Sequence, residues 1–152
     1  MLEERVVYLN GAFVPWSEAR THLMCHSFGR GSAIFEVLSV HEVDGGASLF
    51  RLDRHVARLF RTAELLGMGL RQGPEEIREA CLEAVRRNGV TRGFVKVICY
   101  HSEIAFEILP PDGPLDVSVF VVDPAADLGG LKFPFDRGAS ACFSRWHKLD
   151  PR

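Results

Sequence analysis

The alternation of apolar and polar positions along the chain predicts a fold of short strands and two main helices. Residues 6–14 contain an Asn-Gly dipeptide that suits a two-residue type I′ turn, so they are predicted to form a β-hairpin. Residues 33–41 and 47–50 are predicted to pair around an Asp-Gly-Gly turn. Residues 94–100 and 115–122 are also predicted strands. The second of these is almost continuously apolar, which is typical of a central strand.

Two segments carry apolar residues at the spacing of an amphipathic helix. The first is predicted to begin with Asp53 as its N-cap and to end near Leu66, with Gly67 as its stop. The second is predicted to begin at Pro74 and to end at Asn88. The predicted buried positions are Leu52, Val56, Leu59, Ala63 and Leu66 in the first helix and Ile77, Ala80, Cys81, Ala84 and Val85 in the second.

A glycine-containing turn at residues 27–32 leads directly into the predicted strand at 33–41. Gly29 and Gly31 let the backbone turn tightly and let another molecule approach it closely. Such a turn before a strand is weak evidence of function alone, so its meaning depends on the segments on either side.

Three blocks of sequence together carry a family resemblance. They are residues 7–20, residues 27–38, and residues 49–66 with their His-x-x-Arg-Leu motif. In this order and at these spacings they resemble the N-terminal part of the class IV aminotransferases. That family includes branched-chain and D-amino-acid transaminases and aminodeoxychorismate lyase, all fold-type IV enzymes that use pyridoxal 5′-phosphate (PLP). The resemblance implies an α+β fold, in which a small N-terminal domain has a mostly antiparallel twisted sheet flanked by two main helices.

The resemblance also implies a division of the chain. Residues 1–123 would form the small domain, residues 124–137 an interdomain linker rich in Ala, Gly and Asp, and residues 138–152 the start of a second domain. A short apolar strand is predicted at residues 140–143. The family's Schiff-base lysine would fall beyond Arg152, and Lys148 lies too early to replace it. We therefore expect the 152-residue chain to have no catalytic residue of its own and to be inactive alone.

Arg58 is the candidate cofactor-binding residue. It shares one side of the first predicted helix with Arg51, Arg54 and Arg61, and by itself this pattern is typical of a solvated basic face. The resemblance places Arg58 at the arginine of the His-x-x-Arg-Leu motif, which binds the PLP phosphate in the family. A guanidinium group suits this role because its fixed fork of donors matches phosphate oxygens.

Five further positions are candidates for substrate binding. By resemblance, Phe35 lines the substrate pocket, although a core aromatic on a strand is the alternative. Arg30 stands where branched-chain enzymes usually carry Tyr, and Ser39 stands where some of them carry Arg. Arg30 either points at an anionic group or is a surface residue. Phe94 and Lys96 stand where those enzymes have Tyr and Arg. Phe94 cannot donate the Tyr hydrogen bond, whereas Lys96 keeps a positive charge.

Composition restricts the function classes further. A net charge of −2 argues against a nucleic-acid-binding protein, and no apolar run is as long as a membrane span. The acidic N-terminus does not resemble a secretory signal, and the four scattered cysteines are typical of free thiols in a cytoplasmic protein. His22, Cys25 and His26 lack the second cluster that a closed zinc site requires, so no metal site is expected.

The leading hypothesis is the N-terminal domain of a PLP-dependent amino-acid aminotransferase. The whole protein would exchange an amino group between an amino acid and a 2-oxo acid, and by resemblance it would be a homodimer. A PLP-dependent lyase of the same fold, like aminodeoxychorismate lyase, is one alternative. The other is a non-catalytic module that binds a small anion or mediates dimerisation. Glu36 and Val37 after Phe35 resemble the transaminases more than the lyase.

Overall fold

The computed structural model describes residues 2–129 and 140–146 and contains one six-stranded antiparallel sheet with helices. The strands are β1 Val6–Leu9, β2 Ala12–Pro15, β3 Ala33–Val43, β4 Gly46–Leu49, β5 Gly93–Tyr100 and β6 Asp116–Val122, in the order β2-β1-β6-β5-β3-β4. The helices are α1 His26–Arg30, α2 Leu52–Leu65, α3 Pro74–Asn88 and α4 Pro124–Asp127. The predicted α+β fold with a mostly antiparallel sheet is confirmed.

Both predicted hairpins are present, and backbone geometry explains why. The β1–β2 turn places Asn10 at φ 47° and Gly11 at φ 100°, as a type I′ turn requires. The β3–β4 turn places Asp44 at φ 49° and Gly45 at φ 75°. Asn, Asp and Gly tolerate these positive φ angles better than other residues, so the turn chemistry alone located both hairpins.

Helices α2 and α3 cover one face of the sheet, and the core lies between these helices and the sheet. Alternate residues of β5 and β6 point into this layer, among them Val95, Val97, Val117 and Val119, each at most 1% exposed. The predicted apolar positions of α3 are all buried. Because strand side chains alternate between faces, the other residues of β5 and β6 point to the opposite face of the sheet, away from α2 and α3.

The predicted N-cap of α2 and the predicted burial of Leu66 need correction, whereas the helix ends next to Leu66 as predicted. Arg51, in the left-handed conformation at φ 49°, precedes the helix, and Asp53 lies in the first turn. The strand hydrogen bonding continues to Phe50, whose N–H donates to the Ser39 carbonyl at 3.0 Å, so Arg51 alone makes the turn into the helix. Leu66 was predicted to be buried but is 58% exposed, because α2 ends before it.

The region after the sheet also differs from prediction. The first part of the predicted linker forms α4, whose N-cap Asp123 accepts hydrogen bonds from the N–H groups of Ala125 and Ala126. Residues 140–143, which are predicted to form a strand, pair with no described strand. Residues 130–137 of the predicted linker and Lys148 lie outside the described residues.

Candidate active site

The face of the sheet opposite α2 and α3 brings together four of the predicted site residues. Phe35 and Ser39 lie on β3 and Phe94 and Lys96 on β5, all on positions that alternate with the buried ones. Ser39 is directly opposite Phe94. The Lys96 ammonium nitrogen lies 5.1 Å from the centroid of the Phe35 ring, a cation–π contact. Phe35 is 63% exposed, so it is not a core aromatic in this domain.

The first half of β3 is also a free edge of the sheet. Strand β4 pairs with β3 only from Val40 to Val43, and β5 occupies the other side of β3. The Ser39 carbonyl points towards the β4 side, where it accepts the hydrogen bond from Phe50. Alternate residues of a strand direct their main-chain groups to the same side, so those of Phe35 also point to this edge. No described strand pairs with them there.

Arg58 lies on the face of β3 that α2 covers, where it binds Glu36, the residue next to Phe35. Its Nε donates to Oε1 of Glu36 at 2.6 Å and its Nη2 donates to Oε2 at 2.7 Å. His55, one turn earlier on α2, donates from Nδ1 to Oε2 of Glu36 at 2.8 Å. The Glu36 side chain is only 5% exposed, whereas that of Arg58 is 67% exposed. A buried carboxylate therefore holds one side of an otherwise exposed guanidinium group.

The charges in this group are well defined. Burial by itself would raise the pKa of the Glu36 carboxyl, but the hydrogen bonds from Arg58 and His55 outweigh burial and hold that pKa below its usual value. The same hydrogen bonds, which Arg58 donates to Glu36, raise the pKa of Arg58. Glu36 is therefore ionised and Arg58 charged at neutral pH. Within the described residues, Nη1 of Arg58 has no protein partner and can still donate to an anion.

Comparison with known proteins identifies the family. The profile of the family described as "Amino-transferase class IV" matches residues 33–139. The match includes β3 with Phe35, Glu36 and Ser39, helix α2 with Arg58, and the β5 positions of Phe94 and Lys96. The chain belongs to the class IV aminotransferase family.

Individual relatives are branched-chain enzymes. The branched-chain-amino-acid aminotransferase of Salmonella typhimurium is 27% identical over 146 residues, which are 95% of this chain and 47% of the relative. That of Pseudomonas aeruginosa is 32% identical over 99 residues, 64% of this chain and 32% of the relative. The chain thus spans about half the length of the first of these curated relatives.

Solved structures of the same class superpose on this domain. A branched-chain amino acid aminotransferase of T.th., complexed with N-(5′-phosphopyridoxyl)-L-glutamate, matches 78% of this chain and 40% of its own, with 34% identity and a TM-score of 0.74. The Escherichia coli enzyme matches 78% of this chain and 41% of its own, with 26% identity and a TM-score of 0.74. This chain is therefore a branched-chain-aminotransferase-like class IV domain.

In this class IV domain, Arg30 lies apart from the other predicted site residues. It ends helix α1, is exposed, and donates from Nη2 to the Phe106 carbonyl at 3.4 Å. Among the described residues it makes no hydrogen bond or ion pair with Phe35, Ser39 or Lys96. The structure of the single domain thus places Arg30 beside the loop that precedes β6.

Sequence reasoning missed the role of Glu36 and His55, although a signal for Glu36 was present. Glu36 is a charged residue in the middle of an apolar, β-branched strand, at a position whose alternate neighbours Ile34 and Leu38 are core residues. Carboxylates are almost never fully buried unless they are paired, so this position alone demands a cationic partner. Only the three-dimensional structure identifies that partner as Arg58, 22 positions later.

A cavity of about 340 Å³ on the open sheet face was also not predicted. Trp16 and Phe120 line it with ring centroids 6.2 Å apart, and Tyr100, Phe28 and Arg20 complete much of its wall. Cys25 lines this cavity and is buried, and the neighbouring His26 is also buried, with Nδ1 2.7 Å from Ser32 Oγ. Among the described residues no group of His, Cys, Asp and Glu side chains has metal-binding geometry, and no described helix is long and apolar enough to cross a membrane.

Proposed function

We propose that this chain is the N-terminal domain of a PLP-dependent amino-acid aminotransferase that exchanges an amino group between an amino acid and a 2-oxo acid. Family membership supports the reaction class, and the contacts between Arg58 and Glu36 are the observation that supports Arg58 as the cofactor-binding residue. In this proposal residues 1–123 are the small domain and the following residues lead to a second domain that supplies the covalent lysine.

The residues present fit a phosphorylated cofactor. Arg58 offers a permanently charged guanidinium group that Glu36 orients and that leaves Nη1 available for a phosphate oxygen. When bound, PLP supplies an electron sink that stabilises negative charge at the Cα atom of the amino acid. The branched-chain enzyme of T.th. was solved with pyridoxamine 5′-phosphate, which agrees with this assignment.

The open sheet face supplies the substrate side in this proposal. Phe35 and Phe94 contribute apolar and aromatic surface, and Lys96 contributes a positive charge that can attract a carboxylate. Because the first half of β3 is a free edge, a ligand there can reach Arg58 on one side of the strand and Phe35 on the other. Ser39 adds a hydroxyl group, which lies 2.8 Å from His41 Nε2.

Arg30 is assigned to substrate binding on different grounds. It stands where branched-chain enzymes usually carry Tyr, and its one bond within the described residues uses Nη2 and leaves other donors available. A guanidinium group at this position favours a substrate with a second carboxylate over an aliphatic one. Neither the lyase nor the non-catalytic module is favoured by the relatives, which are branched-chain aminotransferases.

The proposed whole protein is a cytoplasmic homodimer. Its free cysteines suit a reducing compartment. An apolar surface formed by two loop segments supports self-association. The segment that leads into α1 contacts the loop after β5 through an isolated β-bridge between Cys25 and Ile104. The exposed apolar residues of this surface are Leu23, Met24, Phe28, Ile104, Phe106, Ile108 and Leu109. Exposed apolar residues on two neighbouring segments are typical of interaction sites.

The Arg58 assignment is tested by replacing Arg58 with Ala in the whole protein and measuring PLP affinity and amino-group transfer from L- and D-amino acids to 2-oxoglutarate. A hydrogen bond to a charged group contributes about 1.5–3 kcal/mol, so Arg58→Ala should weaken PLP binding by roughly one to two orders of magnitude. Arg54→Ala is the matched control, because the Arg54 side chain is 75% exposed and its ion pair within the described part of the chain is with Asp53 at 3.6 Å. Equal effects of both variants would contradict the assignment.

A further inference from the structure

Glu36 is an unusual residue for its position in β3. Its alternate neighbours Ile34, Leu38 and Val40 are core residues no more than 5% exposed, and Glu36 itself is 5% exposed. A carboxylate in such a place is retained only when hydrogen bonds and opposite charges compensate for the lost water. Among the residues that the structure describes, the compensation comes from helix α2, which also carries Arg58, the residue proposed to bind the phosphate.

The contacts of Glu36 determine how Arg58 is presented. Both carboxylate oxygens receive hydrogen bonds from Arg58, and a guanidinium group is planar, so two bonds to one carboxylate fix the orientation of its plane. The inner donors Nε and Nη2 are occupied, which leaves Nη1 on the outer side. Without Glu36, an arginine side chain that is 67% exposed would sample many rotamers.

We propose that Glu36 is a positioning residue that pre-orients Arg58 for a phosphate group, with His55 holding the carboxylate in place by donating to the same Oε2 atom that Arg58 Nη2 contacts. This inference rests on the proposed function of Arg58. It adds that phosphate affinity depends on where the guanidinium donors point, since Glu36 and Arg58 together carry no net charge. The ligand class is a phosphomonoester attached to a small aromatic ring.

The decisive variant is Glu36→Asp in the whole protein. Aspartate keeps the negative charge near Arg58 but is one methylene shorter, so it disturbs the position of the guanidinium group more than the local field. Ordering a free, rotamer-rich side chain on binding costs about 0.5–1.5 kcal/mol, which corresponds to roughly a twofold to tenfold loss of affinity. The probes are pyridoxamine 5′-phosphate and pyridoxamine, which differ only in the phosphate.

We expect Glu36→Asp to weaken pyridoxamine 5′-phosphate binding by roughly twofold to tenfold and to leave pyridoxamine binding unchanged. In an Arg58→Ala background the same substitution should have no further effect, because Glu36 acts through Arg58. Equal weakening of both ligands, or a loss that persists without Arg58, would show that Glu36 is only structural.

A second measurement separates this inference from the proposed function. In the 152-residue chain, the Nε–Hε resonance of Arg58 should be sharp and shifted by its hydrogen bond to Glu36, and Glu36→Gln should return it towards the position of Arg54. An unshifted resonance in the unsubstituted chain would overturn the positioning role. If Arg58→Ala leaves cofactor affinity unchanged, the proposed function fails as well; if only Glu36→Asp is without effect, this inference fails alone.

Discussion

Gly93 provides a sharp test of how firmly the sheet holds the candidate active site. It begins β5, next to Phe94, and has a φ of 156°, a conformation that residues with side chains rarely adopt. A Cβ atom at Gly93 would lie 2.1 Å from the Val122 carbonyl oxygen, 3.1 Å from the carbonyl carbon and 3.3 Å from the Asp123 Cα atom. All three are backbone atoms, so no side-chain rotation can relieve the clash.

The size of the expected effect follows from this geometry. Phe94 pairs with Val122, and Asp123 is the N-cap of α4, so both neighbouring segments are held in place. Relief of the clash requires a backbone shift, for which overpacking typically costs about 1–3 kcal/mol, and backbone strain adds about 1–3 kcal/mol. Gly93→Ala should therefore reduce the free energy of unfolding by about 2–6 kcal/mol, a large part of the roughly 5–15 kcal/mol that domains have.

The assay is urea unfolding followed by circular dichroism, with the free energy obtained by linear extrapolation. Gly69→Ala is the control, because a Cβ atom there would lie 3.9 Å from its nearest neighbour, Pro114, at an ordinary contact distance and without a positive φ. We expect the control to change the free energy of unfolding by less than about 1 kcal/mol. A Gly93→Ala loss as small as that of the control would refute the reasoning that the start of β5 is rigid.

Two further predictions concern pH and assembly. Burial, with a contribution from His26, lowers the pKa of His101 in the folded state. The stabilising effect of the neutral ring is therefore present above the unfolded pKa of about 6.5 and is lost as pH falls below that value. Between about pH 7 and 5, the melting temperature of His101→Gln should fall less than that of the unsubstituted protein, and parallel pH profiles would contradict this. Phe106→Asp should convert the proposed homodimer to a monomer, as measured by sedimentation velocity, whereas Leu65→Asp, at another exposed apolar position, should not. A dimer that survives Phe106→Asp would exclude the apolar loop surface as the interface.

The sequence by itself determined the local elements of this domain. Dipeptides that tolerate positive φ located both hairpins, and the apolar spacing in α3 identified its buried face, because these signals depend on residues only a few positions apart. The family resemblance added the identity of Arg58 and of the residues on β3 and β5. The prediction of Leu66 as a buried residue failed because helix termination depends on the turn that follows, which the apolar spacing does not encode.

Only the tertiary structure decided how the candidate site is assembled. It placed β3 between β5 and β4, left the first half of β3 as a free edge, and put Phe35 and Glu36 on opposite faces of the sheet. It also paired Glu36 with Arg58 across 22 positions, which no local pattern predicts. The physical reason is that strand order and buried ion pairs depend on which surfaces pack together. That choice is made by the whole core rather than by neighbouring residues in the chain.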